Sequence, residues 1–191
     1  MESTKTKLAI ITGAARGIGL ATAKLFSQHD YKVAIVDRDK SELSKLSFTN
    51  NNMKSFCYDI SELSSIEKMY EEILKWHNRV DVLVNNAGVA DFGTIEMTDF
   101  KRWNEVMKTN LDGAFMCSQK AIPYLKKTNG NIINIASISG LRASTLRVAY
   151  GTSKAAIIQL TKQQAAELGE YQIRVNCVAP GPVKTKLAMA V

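Results

Sequence analysis

The sequence predicts a doubly wound α/β domain, in which helices cover both faces of a parallel sheet. Short runs of β-branched residues alternate with longer segments of helical period along the 191 residues. The runs at 9–11 and 82–84 are apolar without interruption, as strands buried on both faces should be. Strict alternation of strand and helix requires parallel pairing, because each crossover returns the chain to the same edge of the sheet.

Six strands and five helical segments follow in order. The β-branched runs predict strands at 8–12, 32–37, 54–58, 80–84, 131–135 and 173–178. Helical periodicity predicts helices at 17–29, 40–46, 62–76, 98–127 and 149–170, and the fourth is long enough to divide into a short and a longer helix. Asp39 and Ser61 are predicted helix caps, and Asn129 with Gly130 is expected to end the fourth segment. We predict one domain over residues 1–191.

Composition excludes several classes of function. The formal net charge is +7, but Lys and Arg are scattered among Asp and Glu without a nucleic-acid motif, so nucleic-acid binding is not expected. No apolar run approaches the roughly 20 residues of a membrane span or the ~7 to 15 of a signal-peptide core. We therefore expect a cytoplasmic protein. Cys57, Cys117 and Cys177 are widely spaced and are expected to be buried, with no disulfide and no metal site.

A glycine-rich segment follows the first strand and opens the first helix. Glycine allows a tight turn and close approach to a pyrophosphate, whose charge is held by the helix N-terminus. Such spacing alone is a weak signal, because a glycine-rich turn without a ligand has the same pattern. The cofactor-binding candidates here are Gly13, Arg16, Gly17, Ile18 and Gly19.

An acidic residue at the end of the second strand strengthens the dinucleotide hypothesis. Asp37 lies 18 residues after Gly19, close to the ~20 at which a carboxylate reaches the adenosine ribose. A carboxylate there accepts a hydrogen bond from the 2′-hydroxyl and repels a 2′-phosphate, so NAD is favoured over NADP. The alternatives are that Asp37 is only a turn residue, or that the adjacent Arg38 tolerates the phosphate.

Further motifs follow the later strands. Asn85-Asn-Ala-Gly88 ends the fourth strand, Ser137 follows the fifth, and Tyr150 and Lys154 lie at the start of the last helix. Ligands collect at this carboxyl edge in doubly wound sheets. Together with the glycine segment, these motifs resemble the short-chain dehydrogenase/reductase family over essentially the whole chain. The resemblance implies a Rossmann-type sheet with strand order 3-2-1-4-5-6.

The chemistry of Tyr150 and Lys154 can be argued from their spacing. They are i and i+4, on one face of a helix. A phenol with an ordinary pKa of about 10 must lose roughly three units to act near neutral pH, about 4 kcal/mol. An exposed ion pair supplies at most about 1 kcal/mol, so the site must be partly closed, with a lysine and the positive nicotinamide acting together. Tyr150 would then exchange a proton with an alcohol or carbonyl oxygen that Ser137 holds.

The family resemblance assigns the same roles and adds others. It implies that Ser137 positions the substrate, that Tyr150 is the acid/base, and that Lys154 also binds the nicotinamide ribose. It implies that Asn110 supports a water-linked proton relay to the lysine, although a helix-interior asparagine bonded to its own backbone is an alternative. It also implies cofactor contacts from Asp59, Ile60, Asn86, Ala87, Gly88, Pro180, Gly181, Val183 and Thr185. For Asp59 a helix-capping role is an alternative, and for 85–88 a simple turn.

The substrate and the assembly are less determined. Side chains expected to face the substrate are those of Ser137, Ser139, Arg147 and Tyr150, together with Asp91, Leu141 and the segment after Val183. Arg147 suggests an anionic substrate by resemblance, although an exposed loop arginine is an alternative. The resemblance implies a homodimer or homotetramer through the last two long helical segments, where Phe115, Met116, Ile157 and Ile158 supply apolar surface. It further implies that the chain lacks a seventh strand and a substrate lid and is truncated at its C-terminus.

The leading functional hypothesis is an NAD(H)-dependent oxidoreductase that interconverts a secondary alcohol and a ketone. One alternative is an NADPH-dependent 3-oxoacyl-carrier-protein reductase, which Asp37 disfavours. The other is a non-catalytic dinucleotide-binding sensor, which has no need of a tuned tyrosine and is disfavoured by Ser137, Tyr150 and Lys154.

Overall fold

The computed structural model describes residues 6–48 and 51–185 and shows six parallel strands in the order 3-2-1-4-5-6, as predicted. The strands are β1 (Leu8–Thr12), β2 (Lys32–Asp37), β3 (Met53–Cys57), β4 (Val82–Asn85), β5 (Asn131–Ile135) and β6 (Arg174–Val178). The helices are α1 (Gly17–Gln28), α2 (Lys40–Ser44), α3 (Leu63–Trp76), α4 (Phe100–Met107), α5 (Gly113–Leu125) and α6 (Val148–Leu168).

The core lies on both faces of the sheet because successive side chains of a strand point to opposite sides. On one face Leu8 and Ile10 of β1 pack with apolar residues of α3 and α5. On the other face Ala9 and Ile11 pack with residues of α1 and α2. All five residues of β1 are buried, which explains why the strand is apolar from Leu8 to Ile11, before the buried Thr12 at its end.

Some predicted strand boundaries and one predicted helix cap differ from the structure. β3 begins one residue early and excludes Tyr58, while β4 starts at Val82 and continues through Asn85. Asp39 caps α2 by accepting a hydrogen bond from the Glu42 amide, as expected. Ser61 is not a cap, because α3 begins after Glu62 and has no side-chain cap.

The long segment predicted at 98–127 divides at a π-helical turn. This turn, Lys108–Asp112, joins α4 to α5 without breaking the helical path. A π turn contains one extra residue in its hydrogen-bonded ring and rotates the side chains that follow it. Asn110 lies in this turn, and its side chain points into the protein rather than outward.

The cysteines and outer helix faces differ in part from expectation. Cys117 is buried as expected, but Cys57 is exposed at the end of β3 and Cys177 in β6 is only partly buried. Ile157, expected on an outer face of α6, is 2% exposed in the core, whereas Phe115 on α5 is 47% exposed. Within residues 6–48 and 51–185 no group of three or more His, Cys, Asp or Glu side chains is arranged to hold a metal ion. In the same ranges no helix is long and apolar enough to cross a membrane.

Candidate active site

A cavity of about 950 Å³ opens at the carboxyl edge of the sheet. The strand order reverses at β1. Strands β2 and β3 lie on one side of β1, and β4, β5 and β6 lie on the other. Loops that follow all six strands contribute to its wall. This is the position at which doubly wound sheets bind their ligands.

The glycine turn forms the floor of the cavity at the start of α1. Gly13 and Gly17 have φ values of +63° and +58°, a backbone conformation that costs other residues energy. A Cβ on Gly13 would also lie 2.6 Å from the Cα of Ala87. Only glycine at position 13 permits both this conformation and the close contact between the two loops. The N-terminal amides of α1 therefore face an open cavity, which suits a phosphate group.

Asn86 ties the end of β4 to the glycine turn. Its side-chain amide donates to the carbonyl oxygens of Thr12 (2.9 Å) and Gly13 (3.0 Å). The Thr12 hydroxyl oxygen accepts from the amides of Asn86 and Ala87, each at 3.1 Å. Thr12 and Asn86 thus hold the two loops in register. Ala87 and Gly88, which follow, line the cavity.

The carboxylate of Asp37 is fixed at the end of β2. One oxygen accepts from the Ala15 amide at 3.1 Å, and the other from the Asp39 amide at 3.0 Å. Each carboxylate oxygen has a further lone pair. The Asp37 carboxylate is therefore oriented by the backbone and can still accept hydrogen bonds from a ligand in the cavity.

Two ion pairs flank this carboxylate. Arg16 contacts Asp39 at 3.0 Å, and Arg38 contacts Asp59 at 3.3 Å. Burial alone would raise the pKa of the Asp59 carboxyl, but hydrogen bonds from Ser61 and the guanidinium of Arg38 lower it below its usual range. Both arginines are thus already paired with a carboxylate.

Tyr150 and Lys154 lie one turn apart near the start of α6, as their spacing predicts. The Lys154 ammonium lies 5.8 Å from the centre of the Tyr150 ring and donates to the Ile135 carbonyl oxygen at 2.8 Å. Lys154 is 4% exposed, and this burial lowers its pKa to about 8. The lysine nitrogen is therefore held in place and largely shielded from water.

Asn110 joins the π turn to the end of β4 and to α6. Its carbonyl oxygen accepts from the Val89 amide at 2.8 Å, and its amide donates to the Val89 carbonyl (3.0 Å) and the Ser153 hydroxyl (2.9 Å). A Cβ on Gly88 would lie 3.3 Å from the Asn110 side-chain oxygen and 3.4 Å from the Lys154 nitrogen. Asn110 therefore does not bond its own backbone through its side chain; it binds neighbouring elements beside Lys154.

Ser137 follows β5 and is 9% exposed. Its hydroxyl oxygen accepts from the Ser139 amide at 3.1 Å, an arrangement that leaves the hydroxyl hydrogen available to a ligand. Arg147 precedes α6, with its guanidinium carbon 4.7 Å from the Phe92 ring centre and 5.9 Å from that of Tyr150. The cavity wall includes Phe92, Ser137, Ser139, Arg147 and Tyr150.

A family model described as short chain dehydrogenase matches residues 7–191. The chain belongs to this family. Its glycine turn, its tyrosine and lysine on α6 and its sheet order all lie where the resemblance predicted.

Known members support the assignment. Meso-2,3-butanediol dehydrogenase of Serratia marcescens is 36% identical over 183 residues, covering 95% of this chain and 73% of the relative. A 3-ketoacyl-(acyl-carrier-protein) reductase of Brucella melitensis, complexed with NADH, has a TM-score of 0.92 at 30% identity, covering 96% and 78% of the two chains. ElxO with NADP bound has a TM-score of 0.90 at 33% identity, covering 97% and 77%.

This short-chain dehydrogenase is therefore an oxidoreductase acting on CH–OH groups, with a nicotinamide dinucleotide as cofactor. The residues of the cavity wall fit such a group, since the glycine turn and the start of α1 offer backbone amides to phosphate and Asp37 offers a fixed acceptor. The non-catalytic sensor hypothesis is not supported.

Most residues predicted for the site line the cavity. They are Gly13, Arg16, Gly17, Ile18, Asp37, Asp59, Ile60, Asn86, Ala87, Gly88, Ser137, Ser139, Arg147, Tyr150, Lys154, Pro180, Gly181, Val183 and Thr185. Gly19 lies behind the turn and is buried, and Asn110 lies behind Lys154. Asp91 and Leu141, expected near the substrate, are not part of the wall; Asp91 instead contacts Arg102.

Several wall residues were not predicted from the sequence, notably Phe92, Thr109, Arg142 and Ser144. These residues lie in irregular loops or in the π turn, where no periodic pattern indicates the direction of a side chain. The loop that contains Phe92 directly follows the Asn85-Asn-Ala-Gly88 motif. The position of this loop after β4, whose carboxyl end lies at the cavity, was the one signal in the sequence that could have placed Phe92 on the wall.

Proposed function

We propose that this enzyme interconverts a secondary alcohol and a ketone with NAD(H), using Tyr150 as its acid/base. The observation that carries the proposal is the convergence of Ser137, Tyr150 and Lys154 on one end of a cavity whose other end presents the Asp37 carboxylate. The distance between these ends is set by the sheet, because Asp37 ends β2 while Ser137 follows β5.

The roles of the side chains follow from their surroundings. A bound nicotinamide supplies or accepts the hydride. The Ser137 hydroxyl donates its free hydrogen to the substrate oxygen, and Tyr150 passes a proton to that oxygen in reduction or removes it in oxidation. Lys154, held by the Ile135 carbonyl, keeps a positive charge beside the phenol and stabilises the phenolate. Asn110 keeps α6 and the end of β4 together around the lysine.

The test is a panel of diols, hydroxy acids, sugars, steroids and their ketones, followed by NADH absorbance. We expect turnover within at least one secondary alcohol or ketone class. Absence of turnover across the panel, in a protein that binds NADH, would contradict the proposal.

NAD is proposed over NADP because the Asp37 carboxylate occupies the place where a 2′-phosphate would lie. We predict that Asp37→Asn lowers the ratio of NADH to NADPH kcat/KM by about tenfold or more, since one repulsive charge is lost. The matched control is Asp30→Asn, an exposed residue whose left-handed conformation asparagine tolerates. An unchanged ratio in Asp37→Asn would exclude this role.

An NADPH-dependent 3-oxoacyl-carrier-protein reductase remains the alternative. It is favoured by the similarity to the Brucella melitensis reductase, although that protein is complexed with NADH. Including an acetoacetyl thioester in the panel, with NADH and NADPH compared, separates the two proposals. Faster thioester reduction with NADPH than any reaction with NADH would favour the alternative.

The substrate is proposed to carry a negative charge near Arg147. The Arg147 guanidinium is stacked on Phe92 beside Tyr150. The acidic residues of the wall lie at the other end of the cavity, beside β2 and β3, and are Asp37, Asp39 and Asp59. We predict that Arg147→Ala lowers kcat/KM for a hydroxy acid about 10- to 100-fold relative to its methyl ester, the loss expected for a charge-assisted hydrogen bond. Arg174→Ala, on the exposed side of β6, is the control. An unchanged acid-to-ester ratio would reject an anionic substrate.

Assembly as a homodimer or homotetramer through α5 and α6 is proposed on the exposure of Phe115 in α5. This apolar surface is available in the single chain, unlike Ile157. Sedimentation or light scattering measures the state directly. A cytoplasmic location remains a prediction.

A further inference from the structure

The loop that joins β4 to α4 forms part of the cavity wall. Val89, Ala90 and Phe92 line the cavity, and Phe92 stacks against Arg147. The backbone of the loop also pairs with the segment that leads into α6. Gly93 forms a parallel bridge with Arg147, and its amide donates to the Leu146 carbonyl at 3.1 Å. The loop therefore contacts the segment that lies directly before Tyr150.

Arg102, in the first turn of α4, binds this loop from behind. Its Nε and Nη2 atoms donate to one oxygen of Asp91, at 2.9 and 2.5 Å. Nη2 also donates to the Phe92 carbonyl and Nη1 to the Met97 carbonyl, each at 3.0 Å. One guanidinium thus joins three points of the loop, which a single ammonium group cannot do with the same geometry.

We propose that Arg102, together with Asp91, is a positioning residue for the reaction at Tyr150. It holds Phe92 and the loop backbone against Arg147. The distance between this part of the cavity wall and the Tyr150 phenol is thereby fixed. The proposal rests on the proposed function, because it concerns the geometry of that same reaction.

The left-handed conformation of Leu146 supports this. Leu146 has φ +61°, which is unfavourable for a leucine, and its side chain is 51% exposed. Because about half of the residue stays exposed, burial compensates only in part for this conformation. Its carbonyl is instead the acceptor for Gly93. The strained turn is thus held where the loop meets the segment before α6, next to the reacting groups.

Magnitudes separate a positioning role from a structural one. The Arg102 and Asp91 side chains are 36% and 18% exposed, so their pairing adds little to global stability. A displacement of about 1 Å at a reacting centre, in contrast, costs about 100-fold in rate. Loss of Arg102 should therefore reduce turnover much more than it reduces stability.

The experiment compares Arg102→Met, Arg102→Lys and Asp91→Asn in the full chain, with Lys101→Met as the matched control. Lys101 is the exposed neighbour on the same helix. We expect Arg102→Met to lower kcat for the best panel substrate about 10- to 100-fold, with an NADH Kd within twofold of wild type and a nearly unchanged melting temperature. Arg102→Lys should recover only part of the rate, and Lys101→Met should match wild type.

A second measurement follows the loop directly. Hydrogen exchange of the Gly93 amide, which bonds Leu146, should become faster in Arg102→Met while the amides of β1 keep their protection. The double variant Asp91→Asn/Arg102→Met should be no slower in turnover than the worse single variant, because both remove one interaction.

Three results would overturn the inference. One is an unchanged kcat in Arg102→Met, and another is Gly93 exchange at the wild-type rate. The third is a parallel loss of rate, NADH affinity and melting temperature, which would show a merely structural role. Absence of turnover in wild type would instead reject the proposed function and this inference with it.

Discussion

Tyr150→Phe is expected to lower kcat at least 1,000-fold while NADH binding stays within about twofold of wild type. The change removes only the phenol oxygen, so the α6 helix and the cavity shape are retained. General acid–base catalysis typically contributes about 100- to 10,000-fold, and phenylalanine has no proton to exchange with the substrate. Stopped-flow or steady-state NADH absorbance with the best panel substrate gives kcat, and fluorescence titration gives the NADH Kd.

The matched control for this change is Tyr171→Phe, a tyrosine 39% exposed at the turn after α6. It should keep wild-type activity. Turnover by Tyr150→Phe within tenfold of wild type would mean that the proton comes from another group, and the proposed mechanism would be wrong.

Lys154→Met is expected to lower kcat about 100- to 1,000-fold, the usual cost of removing one preorganised charge at a reacting oxygen. Methionine fills a similar volume, so packing against Gly88 and Asn110 is largely kept. Unlike Tyr150→Phe, this change should also weaken NADH binding, because the lysine is proposed to contact the nicotinamide ribose. Lys162→Met, an exposed lysine of the same helix, is the control.

The same variant has a distinct signature in stability. Burial lowers the pKa of Lys154 to about 8 from its ordinary 10.5, so between these values the unfolded chain holds a proton that the folded chain does not. The free energy of unfolding contributed by this group therefore rises with pH through that window, by up to about 3 kcal/mol. At pH 7 both states are protonated and the cost of burying the charge is fully present.

Urea denaturation at pH 7 and pH 10 measures this difference. The stability of wild type minus that of Lys154→Met should increase between the two values. A constant difference would show that the ammonium is solvated in the folded protein, and the geometry of the site would need revision.

The sheet was predictable because strands that are buried on both faces consist mainly of apolar residues. β1 is apolar at every core position and follows the rule for strands covered on both faces, and strand–helix alternation then determined parallel pairing. Strand ends were harder. In the structure β4 also includes Asn85, whose side-chain amide donates hydrogen bonds to Ser118 and Asn134 inside the protein. These residues are far apart in the sequence, so no local pattern predicts the contacts.

In the candidate site, position at the cavity was predictable for short motifs that lie next to strand ends. The wall of one cavity contains Gly13, Asp37, Ser137 and Tyr150, since the first three lie at or directly after the end of a strand and Tyr150 lies in the first turn of α6. Arg102 shows why other residues were missed. Its role depends on a loop that folds back from β4, and a lone arginine at the start of a helix has the sequence appearance of an ordinary surface residue.

The two ion-paired arginines beside Asp37 have a consequence for redesign of the enzyme. Arg16 and Arg38 donate through Nη1 to Asp39 and Asp59 respectively, so these carboxylates compete with a phosphate for the two guanidinium groups. Substituting Asp37 removes a repulsion without supplying an attraction. We therefore expect an engineered preference for NADP to gain most from changing the three carboxylates together, with effects that are not additive.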